Sequence, residues 1–291
     1  MQFCQFLRES VLNHISRKEL LIKLQLSHPS FFGLDNVTLS RWVTGATSPS
    51  LSKQLLIAHY NDVLKSYLEL IDSPPISKSK YNNYLSFIRR FSNSYYNFSL
   101  EDNENEYVSY DKGTASALSK QHRWFISKFR VYNELVERSN IKLEMFYITS
   151  DGDIGMKSFL QYTKDFTGFL DALKIESNEL FSCIKTGFII SFTHYERPEH
   201  YELLSGIFLA ENFEHLIKSD EVFFVSRGQE GLDLTFSFGG RDVLVLETSK
   251  NNENLYLCSI PGIKIFDNSI FFNLLREHYP AYLSCKSLTD I

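Results

Sequence analysis

Residues 34–57 read Leu-Asp-Asn-Val-Thr-Leu-Ser-Arg-Trp-Val-Thr-Gly-Ala-Thr-Ser-Pro-Ser-Leu-Ser-Lys-Gln-Leu-Leu-Ile, and their punctuation decides the N-terminal fold. A short helix stops at Gly45, Pro49 breaks the chain, and Ser50 is placed to cap the next helix. Leu39 and Trp42 stand three residues apart, so both face inward. Asn36, Val37, Thr38, Ser40, Arg41 and Thr44 then lie on the exposed side or at the helix start. The outer face is short-chained and polar, with one arginine.

The surrounding residues, 3–72, carry apolar positions at helical spacing: Phe3, Phe6 and Leu7, then Leu20, Leu21 and Leu24, then Leu51, Leu55 and Leu56. Ser16 and Glu19 form a capping box, and a fifth helix is expected over Asn61–Ile71. A helix packed behind a second whose outer face is polar is how a major groove is read. Arginine suits the guanine edge, asparagine suits adenine, and small side chains fit other base edges or a thymine methyl. Arg17, Lys18 and Lys53 sit near helix starts, where phosphates are also bound. These nine residues are the candidate contacts to double-stranded DNA.

The segment from Phe3 to Ile71 resembles the Cro/C1-type (XRE-like) helix-turn-helix regulators. The resemblance rests on Ser16-Arg-Lys-Glu-Leu-Leu21 and on Val37-Thr-Leu-Ser-Arg-Trp-Val-Thr-Gly-Ala-Thr-Ser-Pro-Ser-Leu51. It covers about a quarter of the chain and implies a five-helix bundle, transcription-factor activity and dimerisation. There are departures. The turn Leu26-Ser-His-Pro-Ser-Phe-Phe-Gly-Leu34 is longer than the family's, Leu21 replaces a small alanine, and Val43 replaces a glutamate.

The whole chain has 291 residues, 43% hydrophobic and 22% charged, with 25 Phe and 16 Tyr, which suits well-packed globular structure rather than disorder. Its net charge of −5 argues against a protein coated in nucleic acid. Residues 1–80 hold nine Lys/Arg against six Asp/Glu, and the rest of the chain twenty-one against twenty-nine. A basic head on an acidic body confines nucleic-acid contact to the head. Cys4, Cys183, Cys258 and Cys285 are far apart, as expected of free thiols in a reducing compartment. No secretory signal pattern or membrane-length apolar run is present, so a cytoplasmic location is expected.

Ser73-Pro-Pro-Ile-Ser-Lys-Ser-Lys80 has linker composition, and a polar connection containing a helix near 82–92 continues to residue 120. Beyond it, strands are expected at Lys142–Thr149 and Thr186–Thr193. Helices are expected at Trp124–Arg138, Pro198–Ile217 and Asn268–Glu277, with a broken helix over Ser158–Phe181. Glu221–Ser226, Leu232–Phe238, Asp242–Thr248 and Leu255–Ile260 read as an antiparallel meander of four strands.

Three clusters tempt a chemical reading. His194-Tyr-Glu-Arg-Pro-Glu-His200 lacks the further ligands a metal centre needs and reads as a strand-to-helix corner. Asp151-Gly-Asp153 reads as a turn. The glycines of Arg227-Gly-Gln-Glu-Gly231 are expected to enter a strand, which argues against a nucleotide or acetyl-coenzyme A cradle. Phe223, Phe224, Phe236, Phe238, Phe266, Phe271 and Phe272 are expected in the core.

The sequence therefore predicts a multidomain chain. Residues 1–72 form an all-α helix-turn-helix bundle, 73–120 a linker and polar connection, and 121–291 an α+β domain with a mostly antiparallel sheet. The expected function is a sequence-specific DNA-binding transcriptional regulator whose C-terminal domain forms a homodimer, senses a small-molecule or protein effector, or does both. No catalytic or metal site, no cofactor and no membrane association is expected. The alternative is an enzyme or interaction scaffold with an accessory helix-turn-helix.

Overall fold

In the head, residues 1–72, three of the helices start at a capping side chain: Ser16, Asp35 and Ser50. The computed structural model describes residues 1–89, 106–122, 129–150, 156–175, 181 and 184–289. Helix α1, Phe3–Phe6, runs into a π-helical turn at Leu7–Val11. The others are α2, Arg17–Ser27; α3, Asn36–Thr44; α4, Leu51–Tyr60; and α5, Leu64–Leu70. The Ser16–Glu19 capping box is formed, Asp35 caps α3 by accepting the Thr38 N–H at 2.6 Å, and Ser50 caps α4. α3 ends where Gly45 takes φ +79°.

The long turn between α2 and α3 is ordered by its own side chains. It holds a 3-10 turn at Pro29–Phe31, with Phe31 buried. Gln25 donates to the Leu34 carbonyl at 2.7 Å. His28 lies 3.1 Å from the Ile217 carbonyl through Nε2, which must donate, so Nδ1 accepts from Ser30.

A seven-stranded sheet follows, in the order β1-β2-β3-β4-β5-β7-β6. The strands are β1, Glu106–Thr114; β2, Lys142–Ser150; β3, Ser158–Thr163; β4, Gly187–His194; β5, Glu221–Arg227; β6, Arg241–Thr248; and β7, Asn254–Ile260. Neighbours are antiparallel except β4 and β5, which run parallel. Edge strand β6 shifts register against β7 twice, at Asp242/Leu244 and Val245/Glu247.

Helices cover both faces. On one lie α7, Ala115–His122, α8, Arg130–Arg138, and α9, Phe166–Ala172. The Glu247 carboxylate of β6 accepts the Val131 and Tyr132 N–H groups at 3.2 and 2.8 Å, capping α8 from across the fold. On the other face lie α10, Pro198–Glu211, and α11, Phe213–Lys218, followed later in the chain by α12, Gly228–Ser237, α13, Gly262–Ile265, and α14, Ser269–Thr289. Leu143 and Met145 of β2 face the first layer, Phe146 and Ile148 the second. α10 crosses α14 at Gly206, where an added Cβ would lie 2.5 Å from His278 Cβ and 2.6 Å from the Leu274 carbonyl oxygen.

One hydrophobic cluster runs unbroken from the head helices into the second layer and the sheet. Tyr67 of α5 is fully buried at this junction, 5.0 Å from Phe6 and 6.0 Å from Phe272 between ring centres. The Ser52 N–H donates to Asp267 at 3.0 Å, and Arg276 donates to the Leu68 carbonyl at 3.0 Å and to Ser73.

Several expected elements are corrected. Ser158–Thr163 is a strand, not helix: covered on both faces, it is buried at every position and shows no alternation. Leu232–Ser237 belongs to helix α12, with Phe238 as its C-cap. Its leucines and phenylalanines alternate like a strand, but Phe236 is 46% exposed while Gly231, Leu234, Thr235 and Phe238 form a buried helical stripe. The meander thus has three strands, with β7 inserted between β5 and β6. The polar connection contains α6, Lys78–Arg89, strand β1 and helix α7. β1 is half-exposed at the edge and so carries no apolar run. The helix expected from Trp124 begins at Arg130, residues 124–128 lying outside those described, and the last helix runs past Glu277 to Thr289.

Candidate functional site

Helix α3 presents the face that the residue pattern assigned to it. Asn36, Val37, Arg41 and Thr44 are exposed, Thr38 and Ser40 half-buried, and Leu39, Trp42 and Val43 are buried against the head core. Asp35 is held below the usual carboxylate range by the Thr38 N–H it caps, with Arg41 adding to the effect. At the other end Arg8 donates to the Val43 carbonyl at 3.2 Å, fixing the exit of the helix. Arg17 and Lys18 are exposed in the first turn of α2, whereas Lys53 is half-buried with its ammonium 6.0 Å from the Phe31 ring centre. The sequence reading did not single out Leu26 and Phe32, 83% and 70% exposed, which flank the same turn.

A second site lies in the sheet. β4 and β5 pair only over Gly187–Ile190 and Glu221–Phe224, although both strands run further. Past that point a cavity of about 470 Å³ occupies their divergence, at the carboxyl ends of parallel strands where α/β folds collect ligands. Ile190, Phe192 and Phe224 contribute from the strands, Tyr201 and Phe208 from α10, Leu234 from α12 and Phe238 from that helix's C-cap. Phe87 of α6 also lines it, and α6 packs across both α10 and α12. Its Tyr84 and Phe87 rings sit 6.1 and 5.5 Å from Tyr201, and the Tyr84 hydroxyl donates to Glu202 at 2.7 Å.

The polar end of the cavity gathers His194, Ser226, Arg227, Glu230 and Glu253. Burial, reinforced by the Arg227 charge, pushes His194 down to about 4. It is therefore neutral near pH 7. Arg227 donates to Glu253 at 2.7 Å, so its charge is matched within the wall. Gly228, at φ +70°, opens helix α12, which corrects the expectation that these glycines enter a strand. Charge disfavours an anion there: Arg227 is already paired, and Glu230 stands in the first turn of α12.

The His194–His200 corner is a structural clamp. His200 Nε2 lies 3.0 Å from the Glu106 carboxylate and 2.9 Å from the Arg197 guanidinium, Nδ1 lies 2.7 Å from the Ser158 hydroxyl, and Ser158 Oγ accepts the Glu196 N–H at 2.9 Å. The acid–histidine–serine order imitates a nucleophile relay, but Ser158 is fully buried with its oxygen engaged. Burial lowers His200. Burial opposes ionisation of Glu106, but the His200 hydrogen bond and the Arg197 and Lys157 charges outweigh it and hold that carboxyl low. A second such knot surrounds Glu144 on β2, which accepts from the Tyr110 and Tyr162 hydroxyls, each at 2.9 Å, and lies 3.2 and 3.6 Å from Lys112 and Lys164. Neither knot had a signal in the sequence, because its members come from distant strands.

Among the described residues no group of three or more His, Cys, Asp or Glu side chains is placed to hold a metal ion, and no helix is long and apolar enough to cross a membrane. Asp151–Asp153 and Cys183 lie outside the described residues; Cys4 and Cys285 are free thiols. Of the seven phenylalanines expected in the core, Phe223, Phe238, Phe266 and Phe272 are buried, Phe224 and Phe271 line the cavity, and Phe236 is exposed. No protein-family model matches the chain, and no curated protein matches it in sequence.

Proposed function

We propose that this chain is a sequence-specific DNA-binding transcriptional regulator whose C-terminal body binds an effector and pairs with a second copy. The observation that carries the reading is the open outer face of α3. Asn36, Arg41 and Thr44 reach solvent there while Leu39 and Trp42 anchor the helix from behind. The charge split supports it: the head carries the chain's excess of Lys/Arg, the remainder its excess of Asp/Glu. One small head reads only a half-site, so pairing through the body would supply the remaining affinity.

Footprinting on the DNA upstream of the chain's own gene tests this. A protected, salt-sensitive site is expected, and Arg41→Ala should weaken it by about 1–3 kcal/mol if Arg41 reads a base. Binding that ignores sequence, or none, would overturn the reading. The cavity at the ends of β4 and β5, beside His194, favours a second one: an enzyme acting on a small molecule, with the head as accessory. The mainly aromatic and aliphatic lining speaks more for a sensor.

A further inference from the structure

The cavity and the head share a wall. Ile265 of α13 and Phe271 of α14 line the cavity, while their neighbours hold the head: Asp267 accepts the Ser52 N–H, Phe272 meets Tyr67 edge-on, and Arg276 binds the Leu68 carbonyl. A third wall, α6, is the segment that follows the head in the chain, and it closes on Tyr201 through Tyr84 and Phe87.

The lining also selects chemistry. An anion would have to separate Arg227 from Glu253 and then face Glu230. A cation would meet the Arg227 charge, with Glu253 already taken by that arginine and Glu230 exposed to solvent, so entering the mainly apolar space would be costly. His194 is held neutral and supplies hydrogen bonding without charge. What fits is an aromatic or aliphatic body with one neutral polar group, within about 470 Å³.

We propose that this cavity binds one small, uncharged, mainly apolar molecule, and that filling it tightens the seat of the head on α13 and α14. The proposal rests on reading the body as an effector domain, but its test does not pass through DNA.

Two dyes with the same aromatic skeleton are titrated into the full chain: neutral N-phenyl-1-naphthylamine and its anionic counterpart 8-anilino-1-naphthalenesulfonate. One saturable site is expected, about tenfold or more tighter for the neutral dye. Leu234→Trp, which fills the cavity from α12, should abolish it. In the unaltered chain, amide exchange in α5, α6, α13 and α14 should slow about tenfold at ten times the Kd, because opening the wall destroys the site. This second measurement stands even where Leu234→Trp fails to fold. Equal affinity for the two dyes, or slowed exchange confined to elements away from these four, would overturn the proposal. Loss of DNA recognition alone would overturn the regulator reading and leave the site intact.

Discussion

The head and the body handle charge in opposite ways. In the head, the capping carboxylates Glu19 and Asp35 are exposed, and the interior is aliphatic and aromatic, with Tyr67 and Gln54 satisfying each other at 2.8 Å. The body takes ionic groups inside. Glu144 is buried among two tyrosines and two lysines, and His200 among Ser158 and Glu106. A surface capped this way tolerates substitution, while a knotted interior depends on every member being present. The head is free to vary its outer face; the body is specified by its polar knots.

The largest effect should come where the two regions meet. Tyr67→Ala removes the ring packed between Phe6 and Phe272 and should cost about 3–5 kcal/mol in urea unfolding. A single transition that shifts as a whole is expected from the shared core, and two separated transitions would break the comparison. Glu144→Ala comes next. It removes the acceptor of the buried Tyr162 hydroxyl and of the part-buried Tyr110 hydroxyl, for a loss of about 3 kcal/mol.

Acid should act on both regions, most strongly on the body, because the lowered carboxyls of the head, Glu19 and Asp35, are exposed while Glu144 is buried. Glu144 and Glu106 are depressed in the folded chain, so their contribution is present above the unfolded carboxylate range and is lost as pH falls through their folded values. His194, lowered from 6.5 to about 4, adds a loss across that interval, because the unfolded chain takes up the proton first. Burial raises Glu221, which acts in the opposite sense. Denaturation midpoints measured from pH 7 to pH 4 should therefore fall, and His194→Asn should flatten the upper part of that decline. The smallest effect belongs to the head's surface. Ser16→Ala, which removes one half of a capping box, should cost about 1 kcal/mol by the same measurement.

What could be read from the chain follows the same division. The caps at Ser16 and Ser50, the inward Leu39 and Trp42, and the stop at Gly45 depend on residues within a few positions of each other. The elements that resisted reading depend on distant neighbours. Covered on both sides, β3 loses its alternation. In α12 and its C-cap the stretch Leu232–Phe238 satisfies strand and helix periods at once, and only the exposure of Phe236 separates them. The cavity had no motif, since β4, β5, α6 and α12 meet there only after folding. Arg227 and Gly228 marked the place, but the direction of the following element was needed to interpret them.

The paired irregularities of β6 have a consequence for assembly. An outer strand with two register breaks, and with Glu247 already committed to α8, is a poor template for a strand from another molecule. Growth of the sheet across that margin is blocked by construction. If two copies pair as proposed, that margin is the least suited to their contact, which leaves helices, loops or the opposite margin at β1.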